Sequence, residues 1–241
     1  MLPSLDPAIE TAVEFLHYLQ EWRGHLAPMP LEEVIREAGS PEKVAIFSVD
    51  LINGFCHEGR LQSDRVKAIL IPVTDLMQRA YEQGVRHFVL TQDCHPPDAV
   101  EFNDFPVHCV RGTSEAETVP ELLALPCAHL FTVLPKLSIS SGIRTGLDGW
   151  LEEHPQVTHR IVVGDCTDLC TYQLAMHLKL TGNVRNVSDP VIVPADCVDT
   201  YDVDVEFARD LGIKAHPGDF FHDVFLYHMA LNGIRVVGSL T

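Results

Sequence analysis

The run RIVVGDCTDLCTYQL, residues 160–174, passes from a strand pattern to a helix pattern within a few residues. Ile161, Val162 and Val163 followed by Gly164 read as a short buried strand ending at a glycine. After a tight polar connection comes Cys170, and Tyr172, Leu174, Ala175 and Leu178 then fall on one face of a helix. A cysteine at such a junction sits near the positive end of the helix. Unpaired backbone N–H groups and the dipole there favour thiolate over thiol. The same N–H groups can hold an oxyanion formed when sulfur attacks a carbonyl. The competing reading is a cysteine buried as a small apolar residue.

Working outward, other strands alternate with helices. Lys43 to Val49 reads as a buried strand with Asp50 at its end, and Arg86 to Leu90 as another, followed by a loop Thr91-Gln92-Asp93-Cys94-His95-Pro96-Pro97. Further strands are predicted at His129 to Val133, running to Pro135-Lys136, at Pro190 to Val193, with Asp196-Cys197-Val198 beyond it, and at Ile234 to Val237. Helices are predicted over residues 7–22 behind an Asp6-Pro7 cap, 30–38, Ser63 to Gln83, Glu115 to Leu123, Thr145 to Glu153, 203–211 and 219–231. The alternation implies a three-layer α/β/α fold with a central, mostly parallel sheet. Residues 1–40 precede the first strand and read as an N-terminal helical extension to a domain at 41–241, covering the core or a subunit interface, with a lid over the site as the remaining alternative.

Composition bounds the function. With 46% hydrophobic and 21% charged residues the chain has an ordinary globular balance, and its formal net charge of −17 disfavours nucleic acid and anionic membrane as partners. Seven cysteines without a repeated spacing suggest reduced thiols. No secretory leader or membrane-spanning run is visible in the sequence, and the expectation is a soluble, cytoplasmic protein.

In a parallel sheet, ligands bind beyond the carboxyl ends of the strands. Asp50, Asp93 with His95, Lys136 and Cys170 each follow a different predicted strand, so all should face one rim. A thiol needs a base, and a carboxylate whose pKa is raised by burial can serve, while a lysine beside them balances charge. The plainer readings are a capping role for Asp50 and a solvated lysine at Lys136. Asp93-x-His95 with His108 fits a divalent metal with room for water, Cys94 and Cys109 being alternative ligands. Against it stand local hydrogen bonds in a chain of 13 histidines. Phe55, Phe102 and Phe105 can form an aromatic slot or simply pack in the core. Cys166 reads as a structural thiol whose backbone N–H matters more than its sulfur.

The stretches VAIFSVDLINGFC, FVLTQDCHPP, FPVHCVRGT and VVGDCTDLCT, in this order, resemble the isochorismatase-like cysteine hydrolases, and most of all the nicotinamidase branch. The resemblance covers roughly residues 43 to 200. It implies that Cys170 is the nucleophile, Asp50 the proton acceptor and donor, and Lys136 the third triad member. Backbone N–H groups of Cys166 and Cys170 would form the oxyanion hole, with a cis peptide at Asp165–Cys166. Asp93, His95 and His108 would bind zinc, or alternatively manganese or iron, to hold the pyridine nitrogen, with Glu101 as a further ligand position. Phe55 would stack on the ring and Phe105 would wall the slot.

The implied reaction is hydrolysis of a small-molecule carboxamide, nicotinamide first, to acid and ammonia through a thioester, in a possible homo-oligomer. Nicotinamidases usually carry Gln where Ile52 stands, Asp where Gly54 stands, and Trp at Cys94 and Phe105. These departures leave open another amide or an isochorismate-like substrate. A non-catalytic binding relative is the remaining alternative.

Overall fold

The computed structural model describes residues 7–241, so the Asp6 cap lies outside the described residues. In chain order the elements are α1 (Pro7–Gly24), α2 (Leu31–Ala38), β1 (Val44–Val49), α3 (Asn53–Cys56), α4 (Asp64–Ala68), α5 (Leu70–Glu82), β2 (His87–Asp93) and α6 (Pro120–Leu123). They continue with β3 (Phe131–Lys136), α7 (Leu147–Glu153), β4 (His159–Asp165), α8 (Cys170–Arg185), β5 (Val191–Pro194), β6 (Val198–Asp199), α9 (Val205–Leu211), α10 (Gly218–Leu231) and β7 (Arg235–Val237).

Every residue of β1 and β4 is buried, which is why residues 44–47 and 161–163 read as apolar runs rather than alternating ones. The sheet order is β3-β2-β1-β4-β5-β7, with β6 pairing the end of β4, and every ladder is parallel. Side chains alternate between the two faces along each strand. Val44, Ile46, Phe88, Leu90, Ile161 and Val163 pack with α2, α4 and α5. Ala45, Phe47, Val49, Val89 and Val162 pack with α7, α8 and α10. This is the three-layer architecture expected from the sequence.

Gly164 is required by the close approach of the two central strands. Its φ is +112°, and a Cβ there would meet the backbone of Val49, its ladder partner. β4 can therefore run this close to β1 at its ladder partner Val49 only with glycine.

Several predicted boundaries move. The helix expected over Ser63 to Gln83 is broken at Ile69 into α4 and α5. Pro72 explains the break, since it has no N–H to offer Ala68 and its ring crowds that carbonyl. The Glu115 to Leu123 helix is replaced by a single 3₁₀ turn at Ser114–Ala116 and the short α6, which starts at Pro120. β2 runs on through Thr91 and Gln92 to Asp93, so those residues belong to the sheet and not to a loop. β4 likewise passes through Gly164 to Asp165, and β6 is a short strand that the sequence reading did not place.

Residues 7–40 are tied to the rest by packing. α2 buries Leu31, Val34 and Ala38 in the core, and Met29 bridges to Leu240. Trp22 and Tyr227 of α10 meet edge-on with ring centroids 5.2 Å apart.

Candidate active site

The C-terminal ends of β1, β2, β3 and β4 share one rim, and the residues anticipated there converge on it. Asp50 follows β1 with a left-handed φ of 52°, a conformation that Asp tolerates better than most residues. Its N–H donates to the Thr91 carbonyl at 2.9 Å, and its Oδ1 accepts from the Asp93 N–H at 2.8 Å. Lys136 ends β3 directly beside Asp93, its ladder partner.

Lys136 is the hub. Its Nζ lies 2.7 Å from Asp50 Oδ2, 2.7 Å from Asp93 Oδ1 and 3.4 Å from Cys170 Sγ, and it donates to the Ser138 carbonyl at 3.2 Å. Asp50 and Lys136 are each only 1% exposed, so the ion pairs are screened from water and interact strongly. Burial raises the Asp50 carboxyl to about 6, with Lys136 pulling against it and Asp93 adding to the rise. Burial also works upward on Asp93, but the Lys136 ammonium and the two histidines outweigh it and hold that carboxyl well below the usual range. The ammonium of Lys136, although desolvated, is pushed above its ordinary value by Asp50 and Cys170.

Cys170 opens α8, as read from the sequence, yet the expected bias toward thiolate is reversed. Burial pushes the thiol well above its ordinary value in spite of Lys136. A carboxylate is at hand to take its proton, an Asp50 oxygen lying within 4.8 Å of Sγ. The peptide Asp165–Cys166 is cis.

Asp93, His95 and His108 bring one donor atom each within 4.8 Å of one another, and all three residues are buried. Glu101, the further ligand position, lies outside that cluster on a 3₁₀ turn and is half-buried. The donor set suits a divalent ion. Nε2 of His95 lies 3.4 Å from Asp93 Oδ1 without a formed hydrogen bond, and among the described residues its buried Nδ1 has no partner, a costly state that a ligated ion relieves. Nδ1 of His108 is 2.7 Å from the Pro106 carbonyl, which requires a proton on Nδ1 and leaves Nε2 as a free lone pair in the neutral ring.

Phe55, Phe102 and Phe105 surround the histidines. Their ring centroids lie 5.8, 5.6 and 6.4 Å from that of His108, and Phe102 also meets His95 at 5.5 Å. Phe102 thus belongs to the slot as fully as Phe55 and Phe105.

Some neighbours carried no sequence signal. Asp168, in the loop before Cys170, is bound by His216, and Thr167 in the same loop is bound by His222 at 2.9 Å. Both histidines lie some fifty residues downstream, where no spacing rule connects them to the loop.

Fold and rim together define a parallel-sheet α/β enzyme with a buried thiol, carboxylate and ammonium at its strand ends. Residues 44–214 match the family model of the isochorismatase domain, and the chain belongs to that family. It is 31% identical to nicotinamidase 1 of Arabidopsis thaliana across 82% of this chain and 86% of that protein. It is 29% identical to a nicotinamidase/pyrazinamidase of Mycobacterium tuberculosis across 54% of this chain and 76% of that one. Among solved structures, a nicotinamidase from Bacillus subtilis superposes with a TM-score of 0.64 at 24% identity, covering 81% of this chain and 99% of that chain. The N-carbamoylsarcosine amidase of Thermoplasma acidophilum superposes with a TM-score of 0.60, also at 24% identity, covering 81% and 95%. These relatives put the chain among the amidohydrolases of its family.

Proposed function

We propose that this chain hydrolyses a small carboxamide, nicotinamide first, to the carboxylic acid and ammonia through a thioester on Cys170. The observation that carries the reading is the position of Lys136 Nζ, within 2.7 Å of two carboxylates and 3.4 Å of Cys170 Sγ. An ammonium there keeps Asp50 ionised near neutral pH and balances a transient thiolate. The curated relatives named as nicotinamidases support the choice of substrate.

In this mechanism Asp50 takes the thiol proton as Cys170 Sγ attacks the amide carbon. Backbone N–H groups of Cys166 and Cys170 hold the oxyanion in the tetrahedral intermediate. Asp50 returns the proton to the departing ammonia, then takes one from water as that water attacks the thioester, and passes it to the departing sulfur, which restores the thiol and the carboxylate. Phe55 and Phe105 hold a flat ring in the slot. Asp93, His95 and His108 would hold a divalent ion, zinc foremost, which supplies a Lewis-acid anchor for a ring nitrogen when bound.

Residues 1–40 serve as a covering extension to the 41–241 domain, a reading supported by the burial of α2 in the core. Seven unpaired cysteines support a reducing compartment, the cytoplasm, and among the described residues no helix is long and apolar enough to cross a membrane.

The test is ammonia release from nicotinamide and a panel of small amides, before and after chelation and with zinc, manganese or iron restored. Activity lost on chelation and regained with metal supports both parts of the reading. Cleavage of other amides with none of nicotinamide in any metal state removes the substrate assignment and keeps the hydrolase.

A further inference from the structure

Cys109, the residue after His108, is held in a left-handed conformation with φ 46° although it is not a glycine. Its N–H donates to Glu115 Oε2 at 2.9 Å, and its carbonyl accepts from the His95 N–H at 3.0 Å. The Arg111 N–H reaches back to the His95 carbonyl at 2.8 Å. One side-chain carboxylate and two backbone rungs therefore bracket the segment that presents both histidines.

Two glycines make room for Glu115, Gly54 beside its Cβ and Gly59 beside its carboxylate. A Cβ on Gly54 would lie 2.7 Å from Cys109 Sγ and 3.1 Å from Glu115 Cβ. A Cβ on Gly59, whose φ is +90°, would lie 2.8 Å from both the carboxylate carbon and Oε1 of Glu115. The surrounding backbone is stitched together as well. The Asn53 N–H donates to the Glu117 carbonyl and its side-chain amide to the Ser114 carbonyl, each at 3.0 Å. The short helix α3 that begins at Asn53 carries Phe55 against His108.

We propose that Glu115 is a positioning residue for the Asp93, His95 and His108 centre, fixing His108 for a divalent ion by accepting the Cys109 N–H. The inference rests on reading that centre as a metal site. A carboxylate accepting a backbone N–H makes a short, strong hydrogen bond, and it is seated here in a cradle that any side chain at position 54 or 59 would fill. Glu115 itself touches neither metal nor substrate; it acts through the backbone of Cys109.

Zinc affinity of the full-length protein, measured by competition with a chromophoric chelator, tests this, with Asp93→Ala marking loss of the centre. Glu115→Ala is expected to weaken zinc binding by about 10- to 100-fold. Glu115→Gln keeps an acceptor oxygen and is expected to stay within about threefold of wild type, since only the charge assistance is lost. Gly59→Ala, whose Cβ would meet the carboxylate, should fall with Glu115→Ala, and the cobalt-substituted absorption spectrum should change in both. Wild-type affinity in folded Glu115→Ala would overturn the proposal and leave the metal reading standing. Glu115→Gln falling as far as Glu115→Ala would overturn the hydrogen-bond role. Wild-type protein that binds zinc no better than Asp93→Ala would overturn the metal reading and this inference with it.

Discussion

Asp168 and His216 are joined by a 2.8 Å contact between Oδ2 and Nε2, and the other ring nitrogen, Nδ1, lies 2.9 Å from the Tyr201 carbonyl. Both partners are acceptors, so with Asp168 ionised both nitrogens must carry protons and His216 is an imidazolium. Its ring is stacked between Tyr201, at 3.9 Å and 12°, and Phe221, at 4.3 Å and 3°. Aromatic faces on both sides suit a cation. The pair ties the loop that leads into Cys170 to the segment after α9, 46 residues further on.

The stability of this tie should depend on pH. Burial works against the charge on His216, but Asp168 outweighs it and raises the pKa above 6.5. The stability gained is therefore complete below 6.5 and is lost as pH rises through the raised value. Asp168 is opposed by burial but lowered overall by His216, so its contribution is present above 3.8 and is lost as pH falls through the depressed value. Urea unfolding of wild type and His216→Gln should differ by about 2 kcal/mol near pH 5.5, with a gap that narrows toward about pH 8.5. A gap that stays flat across that range would refute the imidazolium.

Cys170→Ala should abolish amide hydrolysis, by about 10⁴-fold or more in kcat, as expected when a covalent nucleophile is removed. Steady-state ammonia release checks this, alongside circular dichroism to confirm folding. Unchanged turnover would end the thioester mechanism.

Lys136→Met should lower stability by about 3–5 kcal/mol, because it leaves Asp50 and Asp93 facing each other in a buried site without their counter-charge. The denaturant midpoint measures it. The companion Lys136→Arg should fold poorly too, because the space around Lys136 is closed and a planar guanidinium cannot reproduce contacts converging on one nitrogen.

Gly164→Ala should cost about 3 kcal/mol or more, since the added Cβ meets backbone of Val49 that cannot move without parting β1 from β4. Unfolding midpoints of purified protein decide it. Gly149→Ala, on the exposed side of α7 with nothing within 4 Å of its Cβ, is the control and should be neutral or slightly stabilising.

Much of this architecture was legible because buried parallel strands are written as apolar runs, and a polar residue just past each run must lie on the sheet's rim. Asp50, Lys136 and Cys170 follow directly from that rule. Asp93 was assigned to a loop, whereas the strand continues through Thr91 and Gln92; polar residues near the rim hid its last turn of pleat. The split at Ile69 was readable from Pro72, and the short α6 from Pro120, but helical periodicity masked both. At Cys170 the local helix chemistry is visible in a sequence, whereas the three-dimensional burial that opposes it is not. Glu115 and His216 leave no spacing signature at all, since each acts on residues brought near by the fold alone.

The sheet order has a consequence for how the protein is made. Asp50, Asp93 and Lys136 end β1, β2 and β3, all within the first 136 residues, while Cys170 arrives with β4, which seats itself on the far side of β1. On a chain emerging from the ribosome all three charged residues are translated before Cys170 is. Of the four rim residues Cys170 is thus the last to be translated, after both carboxylates and the ammonium it meets.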